Sequence, residues 1–142
     1  MTLKISQSDF DTIECEGQRT FPEECCGFIL GKKDGDDRNV TKLLSADNMR
    51  EDEARHNRFS ISPQDYMKGD KAARAEGLDI LGFYHSHPNA PARPSQFDLD
   101  HAWPWYSYVI VSIMDGEPKN MTSWIMDDDR SKFSEETINV VS

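Results

Sequence analysis

The sequence predicts an α/β or α+β fold, a sheet with helices packed on it. Three observations predict it: short apolar runs outnumber helical stretches, the helical stretches lie between those runs, and Gly, Pro and Asp-Gly signals separate the segments. The 142 residues suit one compact domain, which at this length buries roughly two-thirds of the surface its unfolded chain exposes. No internal repeat, low-complexity tract or long linker divides the sequence, so a single domain over 1–142 is expected.

Leu3–Ser6 opens as a short strand, and Ser8 is placed to cap a helix running to about Gln18, with Phe10, Ile13 and Cys15 facing inward. Phe21-Pro22 ends that helix. Cys26–Lys32 is mostly apolar and reads as a buried strand, followed by a charged turn, Lys33–Asp37, around Gly35. Val40–Leu44 and Phe59–Ile61 are further strands, with a polar loop at Asp47–Asn57 between them. Ser62-Pro63-Gln64-Asp65 combines a capping hydroxyl, a proline at the first helical position and an acid three residues past the cap. The helix it starts runs to Glu76 and stops at Gly77. Leu78–Tyr84 is rich in large apolar residues, as in a central strand covered on both faces. After a loop with three prolines, Pro88 to Pro94, Ser95 caps a short helix through about Ala102. Strands over Tyr106–Met114, Met121–Asp127 and Thr137–Val141 complete the set, the first two joined by an Asp115-Gly116 turn.

With 26 acidic against 16 basic residues, the net charge is -10. Such a surface repels a phosphate backbone or an anionic membrane, which argues against nucleic acid and membrane as partners. No apolar run is long enough to span a bilayer, and the opening Met-Thr-Leu-Lys-Ile-Ser lacks the apolar stretch of a signal peptide. Cys15, Cys25 and Cys26 are an odd set, and a bridge between the adjacent two would be strained. Reduced thiols in a cytoplasm are therefore expected.

Four features carry chemistry. His85-Ser86-His87-Pro88 stands where a strong apolar strand ends. Residues two apart on a strand share a face, with Cα atoms about 6–7 Å apart, so both imidazoles reach one ion. A carboxylate is the natural third ligand, and Asp98 follows in Ser95-Gln96-Phe97-Asp98. That spacing is also a capping box, and the two readings are compatible. Pro88, Pro91 and Pro94 stiffen the connection, which would help to hold Asp98 against the histidines. Glu24, just before a buried strand, is either an exposed edge residue or a carboxylate for the site. Three protein ligands leave a catalytic zinc one open position, where bound water has a pKa of about 7. A nearby carboxylate then takes its proton and passes it to a leaving amine, and Glu24 is the candidate.

Together these residues resemble the JAMM, or MPN+, metallopeptidases. The likeness rests on Glu24, on His85-Ser86-His87-Pro88, and on Ser95-Gln96-Phe97-Asp98 after a gap of six residues. The flanks Pro22-Glu23-Glu24-Cys25-Cys26-Gly27, Phe28–Gly31, Arg58–Pro63 and Gly77–Tyr84 are similar to the family's too, so the resemblance covers about residues 3–127. It implies a curved mixed β-sheet flanked by helices, akin to the deaminase-like α/β fold. It implies one Zn2+ per chain held by His85, His87 and Asp98, Glu24 as general base and acid, and Ser95 donating to the oxyanion. The implied substrates are amide bonds after the C-terminal glycine of a ubiquitin-like protein. With only Trp103-Pro104-Trp105 between the last helix and the strand after it, the chain resembles the compact prokaryotic branch that includes the CysO-cysteine peptidase. The implied partner is then a small ubiquitin-like or sulfur-carrier protein ending in Gly-Gly.

The alternative is a non-catalytic binding or scaffold module of the same fold, against which the full ligand set argues. A base deaminase is disfavoured, because the chain has no Cys-x-x-Cys. His56 and His101 are expected to be exposed, Cys26 to be a small buried thiol, and Asp127-Asp128-Asp129 to be a solvated turn. Trp103, Trp105 and Tyr106 either pack or line a groove for an extended tail. Oligomeric state is left open, a homodimer included.

Overall fold

A computed structural model describes residues 2–46 and 63–141, without the side chains of Pro63, Phe97 and His101. The expected strand at 59–61, the loop at 47–57 with His56, and the Ser62 cap lie outside the described residues, as does the His101 side chain. In chain order the elements are β1 Thr2–Ser6, α1 Gln7–Thr20, β2 Cys26–Asp34, β3 Asp37–Ser45, α2 Pro63–Ala75, β4 Asp79–Pro88, α3 Gln96–His101, β5 Ser107–Met114, β6 Glu117–Met126 and β7 Phe133–Val141.

The strands lie in the order β1-β3-β2-β4-β5-β6-β7, and β7 pairs back onto β1, so the curved sheet closes into a barrel. It is mixed as expected: β1 runs parallel to β3 and β7, β4 runs parallel to β5, and the other pairs are antiparallel. Alternation along each strand sorts side chains to two faces. One apolar cluster takes residues from all seven strands, among them Leu3, Ile29, Val40, Leu81, Val109, Met121 and Ile138, together with Phe10 and Ile13 of α1. The other takes Phe28, Leu30, Ile80, Phe83, Tyr108 and Met126, with Tyr66 and Ala73 of α2 and Leu99 of α3. Helices thus cover opposite faces of the sheet.

Two expectations for α1 are corrected. The cap is Ser6, whose hydroxyl accepts from the Asp9 N–H at 3.0 Å, and Ser8 lies inside the helix. The last strand residue serves as cap because β1 runs into α1 without a loop. Cys15 is exposed. At 100° per residue it points away from Ile13 and Gly17, the helix's buried positions.

β4 also runs further than its apolar stretch. It continues through the histidines to Pro88, pairing His85 with Ile110 and His87 with Ser112 on β5, and His85 with Cys26 on β2. The polar run His85-Ser86-His87 hides the continuation in sequence, yet all three are buried. Gly27 faces Tyr84 across the ladder, and a Cβ there would sit 2.4 Å from the ring. The Tyr84 hydroxyl, 2.9 Å from both oxygens of the Glu16 carboxylate, ties β4 to α1.

Asp115 and Gly116 form the expected hairpin turn, with φ of 52° and 83°, the positive pair that a two-residue turn favours. β6 therefore starts at Glu117, and β7, after a separate turn, starts at Phe133, both earlier than their apolar residues indicate. Within β7, Glu136 is buried and accepts hydrogen bonds from Ser107 at 2.7 Å and Ser123 at 2.8 Å. The fully buried Arg38 donates to Ser107 at 3.0 Å and to the Leu81 carbonyl at 3.2 Å. Ser107 pairs with Gly82, whereas His87 pairs with Ser112. This polar cluster therefore lies roughly 16 Å along β5 from the histidine end.

Candidate metal centre

His85 and His87 leave the same face of β4, the face covered by α2 and α3, while Ser86 points the other way. Their Nε2 atoms are 3.1 Å apart. Asp98, in the first turn of α3, reaches both: Oδ1 lies 3.4 Å from His85 Nε2, and Oδ2 lies 3.3 Å from His87 Nε2. One donor atom from each of the three falls within 4.8 Å of the others, a group that could hold a metal ion.

Both readings of Ser95-Gln96-Phe97-Asp98 hold at once. The Ser95 hydroxyl accepts from the Asp98 N–H at 3.1 Å, and the Ser95 N–H donates to Asp98 Oδ2 at 2.8 Å. The reciprocal cap holds the carboxylate while leaving it turned to the histidines, and the Asp98 side chain is 9% exposed. Burial pushes the Asp98 carboxyl up, but the imidazoles of His85 and His87 and the Ser95 N–H hold it well below the usual carboxylate range. For His87, burial pulls the imidazole down, but hydrogen bonds to Asp98 and to the Pro91 carbonyl, with the charges of Asp98 and Glu24, leave it raised.

The exposed-edge reading of Glu24 does not hold, for the residue is buried at 7% exposure. The Cys25 N–H donates to Ser86 Oγ at 2.8 Å, and the Ser86 N–H donates to the Cys25 carbonyl at 3.2 Å. Glu24 stands two residues before the Cys26–His85 pair, and its charge is among those that raise the His87 imidazole, which sets it beside the histidines.

One part of the site had no counterpart in the sequence reading. His87 Nδ1 lies 3.0 Å from the Pro91 carbonyl oxygen. A carbonyl can only accept, so Nδ1 is a donor in this contact, and Nε2, which faces the Asp98 carboxylate, becomes the nitrogen with a lone pair once a cation takes the place of its proton. The proline loop therefore orients a histidine. A main-chain carbonyl leaves no residue-type signal, which is why motif reading misses it.

The aromatic residues after α3 mainly pack. Tyr66 lies 6.0 Å from Trp103 between ring centroids, and its hydroxyl lies 2.5 Å from that of Tyr106. Arg38 stacks 4.4 Å from the centre of the Trp105 ring. Trp103 and Trp105 stay 55% and 41% exposed. Cys26 is the buried thiol expected, 3.3 Å from the Ala46 carbonyl. Asp128 and Asp129 sit in a turn.

This fold and this trio of donors define a class: a small barrel with, among the described residues, a candidate metal site at the end of its central parallel pair. Residues 6–127 match the prokaryotic homologs of the JAB domain, and the chain belongs to that family. It is 35% identical over 92 residues to a desampylase of Haloferax volcanii, covering 64% of this chain and 63% of that protein. It is 33% identical over 92 residues to a probable TtuB-protein conjugate cleaving protease of Thermus thermophilus, covering 65% of this chain and 57% of that one. The matches thus span less than two-thirds of either relative. A solution structure from Desulfitobacterium hafniense superposes with a TM-score of 0.85 at 30% identity, covering 99% of this chain and 93% of that one. Among the described residues no helix is long and apolar enough to cross a membrane.

Proposed function

We propose that the chain is a zinc-dependent isopeptidase that hydrolyses the amide bond after the C-terminal glycine of a small ubiquitin-like or sulfur-carrier protein. The observation that carries this reading is the convergence of His85, His87 and Asp98 around one point, with one imidazole already oriented by its second nitrogen. Two neutral imidazoles and one carboxylate are a donor set suited to a catalytic zinc, one per chain, with a position left open. The names of the relatives, a desampylase and a protein conjugate cleaving protease, support cleavage of protein conjugates. Buried thiols at Cys25 and Cys26, not joined in a disulfide, fit a cytoplasmic setting.

Bound zinc supplies an acidified water and polarises the scissile carbonyl. Glu24, buried and close enough for its charge to act on His87, takes a proton from the attacking water and returns it to the departing amine. The Ser95 hydroxyl spends its acceptor on the Asp98 N–H and keeps its proton to donate to the carbonyl oxygen as charge develops there.

The test is a carrier protein from the same host, extended past its Gly-Gly end, incubated with zinc-loaded protein and weighed by intact mass spectrometry. Cleavage after the second glycine is expected. Glu24→Gln should keep one zinc per chain and lose about 10²- to 10⁴-fold in turnover. Protein that takes up no zinc sinks the proposal. Zinc-loaded protein that leaves every such carrier intact points to the scaffold module instead.

A further inference from the structure

We propose that Ser112 and Thr122 are positioning residues for His87. Their hydroxyls clamp the carbonyls on either side of Pro91, and so hold the Pro91 oxygen where it can take the Nδ1–H of the ring. This rests on the reading of His87 as a metal ligand.

β4 ends at Pro88, and Asn89, at φ 52°, turns the chain back over β5 and β6. The turn is fastened at its start: the Asn89 N–H donates to the Ile113 carbonyl at 2.6 Å, and Asn89 Oδ1 accepts from the Asp115 N–H at 2.8 Å. Beyond it, Ser112 Oγ donates to the Ala90 carbonyl at 2.6 Å, and Thr122 Oγ1 donates to the Ala92 carbonyl at 2.6 Å. The Trp124 indole N–H donates to Thr122 Oγ1 at 2.7 Å. That contact occupies the oxygen as an acceptor and directs the hydroxyl proton to Ala92. Between the clamped carbonyls lies that of Pro91, which takes the His87 Nδ1–H at 3.0 Å and the Arg93 N–H at 2.8 Å.

The sheet explains why these two residues reach the loop. Ser112 pairs with His87 in the parallel ladder, and Thr122 pairs with Ile110 on β5. Their neighbours Val111, Ile113 and Met121 face the α1 cluster, so Ser112 and Thr122 face the histidine side. Ser112 is 2% exposed in the middle of an apolar strand, a position where a hydroxyl is costly unless it bonds. The proline between the clamps contributes a fixed φ and brings no N–H of its own. Metal-bound histidines are tuned through the partner of their second nitrogen, and here that partner is a main-chain oxygen that only its neighbours can hold still.

The test compares Ser112→Ala, Thr122→Val and the double variant with wild type, with Thr122→Ser as the variant that keeps the hydroxyl. Two readouts go beyond stability: the ¹⁵N ring shifts of His87 in zinc-free protein above the histidine titration range, and zinc affinity by chelator competition. In the double variant, the share of His87 in the Nδ1–H form should fall below the wild-type share, as the Asp98 carboxylate at Nε2 competes with a less firmly held Pro91 oxygen. Zinc affinity should fall by about 10- to 100-fold, and Thr122→Ser should match wild type in both. A double variant that melts lower but keeps the Nδ1–H tautomer and wild-type zinc affinity overturns the proposal. Should the double variant fail to fold, Thr122→Val, a near-isosteric change at a partly buried site, decides by the same two measurements. Wild-type protein that binds no zinc defeats the isopeptidase reading, and the tautomer comparison still judges the clamp.

Discussion

Replacing Asp98 separates the two things that its carboxylate does. It accepts the Ser95 N–H that starts α3, and it faces His85 and His87 at 3.4 and 3.3 Å. Asp98→Asn keeps an oxygen for the Ser95 N–H and removes the charge, whereas Asp98→Ala removes both. A cap of this kind contributes about 1 kcal/mol, and a buried hydrogen bond to a charged group contributes about 1.5–3 kcal/mol. In metal-free protein, Asn should therefore cost roughly 1.5–3 kcal/mol and Ala roughly 2.5–4 kcal/mol. At about 4 °C per kcal/mol for a domain of this size, the melting temperature should fall by about 6–12 °C and 10–16 °C.

Zinc gives the second half of the comparison. At a hundred times its Kd, a ligand adds about 2.7 kcal/mol, or about 11 °C. Wild type should show that shift in scanning calorimetry when zinc replaces chelator, and both variants should lose it. If Asp98→Asn keeps the full zinc shift, the carboxylate is no ligand and the site reading fails. If Asn and Ala melt alike without zinc, the charge-independent capping role is refuted.

Three further outcomes can be measured on the same instrument. In metal-free protein, Asp98 has a folded pKa below its unfolded value of about 3.9, so its contribution is present above that value and lost as pH falls. His87 has a folded pKa above its unfolded value of about 6.5, so its contribution is complete below that value and lost as pH rises through the raised one. The cluster should thus stabilise metal-free protein most between about pH 4 and 6.5, and the zinc shift should grow above that window; a zinc shift that does not vary with pH contradicts this. Gly27→Ala should cost about 1–3 kcal/mol or more by overpacking against Tyr84, and Tyr84→Leu in the same chain should recover part of the loss. Arg38→Met should cost about 1–3 kcal/mol by removing the donor to Ser107 and the Leu81 carbonyl and the positive charge felt by Glu136, the added Glu136→Gln should relieve part of it, and zinc affinity should not move because the cluster sits at the other end of the strands.

The site was more legible in the sequence than the fold around it. His85, His87 and Asp98 could be paired from residue type and spacing because strand alternation and helix starts have fixed geometry, and the structure brings these three together. The closing of the barrel was not legible, because β7 pairs with β1 across nearly the whole chain and its residues are largely polar. The same weakness shortened β4 and β6, where His85-Ser86-His87 and Glu117–Asn120 break the apolar pattern while the ladder continues. Ser112 did carry a signal, a hydroxyl inside Tyr108–Met114, but one polar residue in a strand does not say what it bonds.

The ambiguity of Ser95-Gln96-Phe97-Asp98 in sequence reflects economy in the structure. α3 has only six residues, too few to persist by helix propensity. It is held by Leu99, packed against the core, by the buried Ala102 at its end, and by the cap at its start. The residue that completes the cap is also the one aimed at the histidines. Any cation drawn to His85 and His87 therefore strengthens the start of α3, and anything that loosens the cap swings the carboxylate away from the imidazoles. On the proposed reading of Asp98 as a ligand, cation binding and local folding are coupled at this position, so one spacing can serve both as a helix start and as the third corner of a metal site.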